Sequence, residues 1–226
     1  MVSVLTITYK RPHLLEEAIE SFLRQGGVVG AEMVIINDNP EVDYICLQAG
    51  IRIFNVKERF PSIAAKLEWG YKQCTHNFIY RLDDDDLLAP QALRNVAVTV
   101  TESALDYDIY RSKDHYFFVN NKFEKVSSNI NNGNVYTKKY LDRITWPNKS
   151  GDEDAEITFG NKASICDNVP TSMIYRWGMN TLHISGMGVQ SNEKVLAMAD
   201  QVLKEDSGMI QLKPHFKEDY YSQLPK

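Results

Sequence analysis

Across residues 2–100 the sequence alternates short, continuous apolar runs with longer segments whose apolar residues recur at helical spacing, and few architectures accept that order. Residues 2–8 are apolar and β-branched, which predicts a buried strand. Pro12 then opens a helix at a position where its missing N–H has no helical partner to lose. Leu14, Leu15, Ala18, Ile19, Phe22 and Leu23 share one face of that helix, and Gly26 and Gly27 end it. Residues 33–36 predict a second strand, closed by the turn-forming Asn37, Asp38, Asn39 and Pro40. Residues 51–56 read as a third strand and residues 62–74 as a helix capped by Ser62. Residues 78–82 form a fourth strand that runs directly into Asp83, Asp84, Asp85 and Asp86, and a helix from residue 90 to about 100 follows.

This repeated β-α-β order with short connections predicts the α/β class, a mostly parallel sheet flanked by helices on both faces. Such sheets bind ligands outside the carboxyl ends of their strands. Three polar clusters fall at those ends: Thr8 with Tyr9, Asn37 with Asp38, and the four aspartates. That coincidence locates a site.

The second half is less regular. Residues 116–119 and 122–126 flank Asn120-Asn121, which predicts a hairpin, and residues 127–134 read as a polar loop. Residues 151–159 begin acidic and continue as a short helix, where Asp152, Glu153 and Asp154 suit the positive N-terminal end. Leu182 and Ile184 alternate with Thr181, His183 and Ser185, a strand-like pattern that sets His183 with the polar side. Residues 191–204 resemble a closing helix. No internal repeat or long linker divides the chain, so residues 1–226 are expected to form one domain.

Composition narrows the function classes. A length of 226 residues with 43% hydrophobic and 24% charged positions is that of an ordinary globular domain, and a formal charge of −5 gives no net pull toward nucleic acid or anionic lipid. The apolar run before Tyr9, Lys10 and Arg11 is too short for a signal peptide, and no stretch approaches the roughly 18 apolar residues of a membrane span. Cys46, Cys74 and Cys166 are odd in number and widely spaced, which predicts reduced thiols in a cytoplasmic protein.

The acidic strand end carries the chemistry. Two carboxylates roughly 5 Å apart repel by about 3 kcal/mol at an effective dielectric of 20. A divalent cation removes that cost, and hard oxygen ligands suit Mn²⁺ or Mg²⁺, which could also neutralise a departing diphosphate. A solvated acidic turn is the plainer alternative, but the position of this run at the ligand edge of the sheet favours the metal.

Four segments together resemble one family. VSVLTITYKRP is similar to its opening strand and turn, and EMVIINDNP to its second strand, which usually ends in a D-D pair. RFPSIAAKLEWGYKQC resembles its N-R-G-x-x-x-A-R-N helix, and FIYRLDDDDLLAP the strand that carries a metal-binding D-x-D motif. In this order and spacing, over about residues 2–95, the chain resembles inverting glycosyltransferases of the GT-A (Rossmann-like) fold. These form the large family 2-like group that includes many bacterial cell-surface sugar transferases.

The resemblance implies roles by position. Thr8 and Tyr9 would line a nucleoside pocket, with Tyr9 against the base. Asp38 would hydrogen-bond the base, most often uracil, and Lys66 would take the place of a basic residue near base and phosphates. Asp83 and Asp85 would form the metal-binding pair, and Asp84 would face the ribose or donor sugar. Asp154, in Glu153-Asp154, would be the catalytic base; an acidic helix start stabilised by the dipole is the alternative. His183 would complete the metal shell, although a lone His on a strand is more often structural. Trp177 could stack on a sugar ring, or simply pack. Ile7 stands where the family usually has Pro, Asn37 replaces the first Asp of the D-D pair, and Lys66 replaces Arg, whose planar fork Lys cannot copy.

The implied reaction is a single displacement. A nucleotide-sugar donor, UDP-linked, gives its sugar to an acceptor hydroxyl deprotonated by Asp154, with inversion. Residues 1–110 would bind the donor and residues 111–226 the acceptor, which could be a glycan, a lipid-linked sugar, a protein or a nucleic-acid base. A sugar-phosphate nucleotidyltransferase shares the architecture, but it needs a Gly-rich basic loop where this chain has Thr8-Tyr9-Lys10-Arg11-Pro12-His13. A non-catalytic nucleotide-sugar-binding module is the non-enzyme alternative.

Overall fold

The computed structural model describes residues 1–26, 29–104, 106–128, 130–177, 191–202 and 208–225. Its first elements are β1 (Val2–Thr8), α1 (Pro12–Leu23), β2 (Glu32–Asn37), β3 (Val42–Ile45), β4 (Ile51–Asn55), α2 (Ile63–Gln73), β5 (Phe78–Arg81), β6 (Leu87–Leu88) and α3 (Ala92–Glu102). There follow β7 (Ile109–Tyr110), β8 (Asp114–Val119), β9 (Lys122–Ser127), β10 (Val135–Thr137), α4 (Lys138–Leu141), α5 (Glu153–Phe159), β11 (Ile165–Cys166), β12 (Met173–Arg176), α6 (Asn192–Val202) and β13 (Gly208–Gln211).

Seven strands make the main sheet in the order β11-β7-β10-β5-β1-β2-β4. Strands β5, β1, β2 and β4 run parallel, while β10 is antiparallel to both β5 and β7. The mostly parallel sheet is therefore as the alternation predicts. The three-residue insert β10 has no signature of its own in the sequence. Alternate residues of the central strands feed two cores. Val4, Met33 and Ile35 pack with Leu15, Ile19 and Val96 of α1 and α3, whereas Leu5, Val34 and Ile36 pack with Leu67 and Tyr71 of α2. This two-sided burial explains why these strands read as continuous apolar runs. Each fully buried aliphatic side chain contributes roughly 1.5–3 kcal/mol.

Local sequence sets the ends. Ser62 Oγ accepts from Ala65 N at 3.1 Å, the cap expected of it. Gly70 lets α2 close on the sheet, because a Cβ there would stand 2.9 Å from Leu5 Cδ1. Asn120 and Asn121 both take positive φ, 50° and 58°, the paired left-handed turn that joins β8 to β9.

A second sheet, in the order β6-β12-β8-β9, stands beside the acidic turn. Its core of Leu87, Phe118 and Ile174 is closed by Tyr220 from the C-terminal segment. A small parallel pair, β3 with β13, completes the strands among the described residues. The expected hairpin and the acidic helix are present. The expected strand around Leu182 and Ile184, and His183 with it, lies outside the described residues.

Candidate active site

The parallel register brings the ends of the central strands to one edge. Thr8 pairs with Asn37, and Leu5 with Arg81, so the residues that follow β1, β2 and β5 emerge side by side. Two connected chemical regions result.

The first is built around Lys66. Its ammonium, on α2, donates to Thr8 O at 2.6 Å and forms an ion pair with Asp38. The second Asp38 oxygen accepts from Phe60 N at 3.2 Å. Both side chains are buried, and burial pulls the Lys66 pKa down against the opposing pull of Asp38. Thr8 Oγ1 is buried without a hydrogen-bond partner. The Arg59 guanidinium lies 3.5 Å from the centre of the Tyr9 ring. Thr8, Tyr9, Asp38 and Lys66 thus line one small cavity of about 120 Å³, together with Val195 and Ala199 of α6.

The second region is the acidic turn after β5. Asp83, Asp85 and Asp86 can each bring a carboxylate oxygen within 4.8 Å of the others. Asp84 is fully buried and held inward by Arg11, at the start of α1, whose Nη1 also reaches Asp85 Oδ2 at 3.0 Å. Asp86 is engaged by Asn132 Nδ2 and by Arg176 N at 2.9 Å. Asp83 and Asp85 line the adjoining cleft, a space of about 790 Å³. Burial, with the Asp85 charge behind it, raises the Asp83 and Asp86 pKa values. Burial raises that of Asp84 to about 6 although Arg11 opposes it. Crowded hard oxygens whose ionised forms are disfavoured without a counter-charge fit a divalent cation.

Arg81, the last residue of β5, joins this turn to α5. Its Nη2 stands 3.3 Å from Asp83 Oδ1 and from Glu153 Oε1, and its Nη1 stands 3.0 Å from Asp154 Oδ2. Burial alone would depress the guanidinium, but Asp154, Asp83 and Glu153 outweigh it and keep it charged. Asp154 Oδ1 is buried and has no hydrogen-bond partner, in a residue that lines the cleft. A helix N-terminus by itself lowers the pKa of a carboxylate placed there, but the setting of Asp154 acts the other way. Burial first, then Glu153 and Asp83, raise it well above the ordinary carboxylate value despite Arg81. A seven-residue helix has too small a dipole to prevail against a dry, acidic setting.

Trp177 lines the same cleft, 38% exposed, and stacks on Tyr175 with ring centres 6.2 Å apart. Trp146 is instead a packing residue, stacked on Tyr71. His183 cannot be placed relative to the turn because it lies outside the described residues.

Sequence reasoning found Lys66 but missed the arginines. Arg81 carried a signal, a lone basic residue in an apolar strand immediately before the acidic run. Arg176 carried none. It is fully buried with Glu17 of α1 at 2.6 Å, and its Nε donates to Asp85 O. Glu17 Oε1 accepts from Tyr220 Oη at 2.9 Å and Lys217 N at 3.0 Å, tying the C-terminal segment to the same network.

Comparisons with known proteins fit this geometry. A sequence model described as glycosyl transferase family 2 matches residues 3–165. Among solved structures, S. aureus TarS 1–349 superposes with a TM-score of 0.59 at 15% identity, covering 77% of this chain and 60% of that one. The same TarS segment in complex with UDP-GlcNAc gives 0.61 at 16% identity, with 77% and 58% coverage. This chain therefore spans about three fifths of the TarS segment, a likeness of fold. No curated protein matches the sequence. No helix among the described residues is long and apolar enough to cross a membrane.

Proposed function

This chain belongs to glycosyl transferase family 2, and we propose that it transfers a sugar from a UDP-linked donor to an acceptor hydroxyl with inversion, in a divalent-metal-dependent reaction. One observation carries the reading: Arg81 joins a three-carboxylate cluster to Asp154 at the edge of a cleft that adjoins the Asp38–Lys66 pocket. TarS, similar in fold, has been solved with UDP and with UDP-GlcNAc, which supports a uridine donor here.

In this reading Tyr9, Thr8, Asp38 and Lys66 bind the nucleoside, with Asp38 accepting from the base. Asp83 and Asp85, backed by Asp86, would hold Mn²⁺ or Mg²⁺, as would His183. The cation would supply positive charge against the diphosphate. Arg11, at the start of α1, orients the acidic turn by gripping Asp84, which lies beneath the surface of the cleft. Asp154 takes the proton from the acceptor hydroxyl, and burial with its acidic neighbours Glu153 and Asp83 raises its affinity for that proton. Arg81 holds Asp154 in place and keeps its charge balanced. Trp177, on Tyr175, offers an apolar face to a sugar ring.

We assign residues 1–110 to the donor and residues 111–226 to the acceptor within one domain. The free thiols Cys46, Cys74 and Cys166 suit a reducing compartment, the cytoplasm. The test is UDP release from a panel of UDP-sugars with Mn²⁺, followed by identification of the glycosylated product. Release of pyrophosphate instead would mark a nucleotidyltransferase, and UDP-sugar binding without turnover on any acceptor would mark a binding module.

A further inference from the structure

The nucleoside cavity is not closed by the donor half alone. Val195 and Ala199, only 3% and 7% exposed, and Leu196 line it from α6, which lies beyond residue 165, where the match to the family ends. Among the described residues, polar contacts from Arg59 and Asn192 hold α6 in place. Arg59 Nη1 donates to Leu196 O at 3.4 Å, and Asn192 Nδ2 donates to Asn148 O at 3.2 Å. Arg59 is the same side chain whose guanidinium covers the Tyr9 ring.

We propose that α6 forms a wall of the base pocket and that Val195 and Ala199 restrict the pocket to a single-ring, pyrimidine base, with Arg59 as the latch that fixes the wall. The inference rests on the reading of this cavity as the nucleoside site. A space of about 120 Å³ is lined both by Asp38 and Lys66, which form an ion pair, and by the apolar side chains of α6. A base in this space would therefore meet both hydrogen-bonding groups and apolar surface. A fused two-ring base needs more room. It gains that room only by displacing α6, which breaks the Arg59–Leu196 contact and exposes Val195 and Ala199 to water. Rejection by overlap with packed side chains is a stronger filter than a missing contact. Arg59 must also leave the Tyr9 ring if a base is to stack there, so base binding and the position of α6 are linked through one side chain.

Calorimetric titration of UDP, CDP, GDP and inorganic pyrophosphate, each with Mn²⁺, tests this on the parent and on two variants. The parent is expected to prefer UDP and CDP over GDP by tenfold or more. Val195→Ala should enlarge the pocket and narrow that preference at least fivefold through a gain in GDP affinity. Ala199→Leu should weaken UDP tenfold or more while pyrophosphate binds as in the parent, which shows that the phosphate end is intact. If Ala199→Leu does not fold, Val195→Ala carries the test alone. A parental ratio of UDP to GDP in Val195→Ala, or parental UDP affinity in folded Ala199→Leu, overturns the role of α6. A parent that binds UDP no tighter than pyrophosphate overturns the base pocket itself, and this inference with it.

Discussion

Arg81 Nη1 stands 3.0 Å from Asp154 Oδ2, and Nη2 of the same guanidinium stands 3.3 Å from Asp83 Oδ1. One buried cation therefore couples the carboxylate of α5 to the turn after β5, and neither can shift without the other. Residues 71 positions apart in the sequence, Asp83 and Asp154, are held in a common electrostatic unit.

Asp154→Asn keeps the shape of the side chain and removes its proton affinity. Turnover should fall about a hundred- to ten-thousand-fold, the contribution of a positioned general base, while calorimetry shows UDP affinity near that of the parent. Glu153→Gln serves as the control. It loses charge toward Arg81 and the bond from Gly151 N, so it should lower the melting temperature more than the rate. A near-parental rate in Asp154→Asn would sink the assignment of the base.

Asp85→Ala leaves Arg11 with its second partner, Asp84, so the fold should survive with little change in melting temperature. The Mn²⁺-dependent part of UDP binding should vanish. The measurement is UDP affinity with Mn²⁺ and with a chelator in both proteins. Equal Mn²⁺ dependence in the two would place the cation elsewhere.

Asp38→Ala does two things, because Asp38 is also the counter-charge of buried Lys66. It strands an ammonium in the interior, which costs roughly 3–5 kcal/mol, and urea unfolding should register that loss. Adding Lys66→Met should recover much of the stability. UDP binding should stay weak in both variants, by about 1–3 kcal/mol for the lost hydrogen bond. Recovery of UDP affinity along with stability in the double variant would show that Asp38 does not read the base.

Glu32 gives the acid limb of stability a specific origin. Burial alone would raise its pKa, but bonds from Ser3, Thr75 N, Arg52 and the Thr75 hydroxyl together hold it at about 2, against 4.5 for a free carboxyl. A depressed folded pKa adds stability that is complete above pH 4.5 and fades as pH falls toward 2. Melting temperature followed over that window should decline more gently in Glu32→Gln than in the parent. Parallel curves would assign the acid sensitivity to other carboxyls.

The N-terminal half was legible because its signals are local. The Ser62 cap, the Pro12 start and the two-sided apolar runs of β1 and β2 depend on neighbours a few residues away. The acidic turn stood out for the same reason, four carboxylates in a row. Of the cations that hold the turn, Arg81 left a trace as a basic residue in an apolar strand, whereas Arg11 and Arg176 find their partners across the fold and leave no periodic signal. Strand β10 was missed because its three residues pair antiparallel between β5 and β7, an outcome of tertiary space rather than of propensity. The raised pKa of Asp154 was hidden for the same reason: burial is not visible from helix position alone.

The network around Glu17 also sets an order of events during synthesis. Asp86 receives its backbone bond from Arg176, 90 positions later, and Glu17 receives its hydroxyl bond from Tyr220, 203 positions later. A chain emerging from the ribosome can lay down β1, α1, β2 and β5 early, with the acidic turn already outside the exit tunnel. Until residue 176 and then residue 220 follow, Glu17 is a carboxylate facing the interior with no partner, and the turn lacks its final support. The N-terminal half can thus fold first while the edge that carries the acidic turn matures last, only after residue 220 has been made.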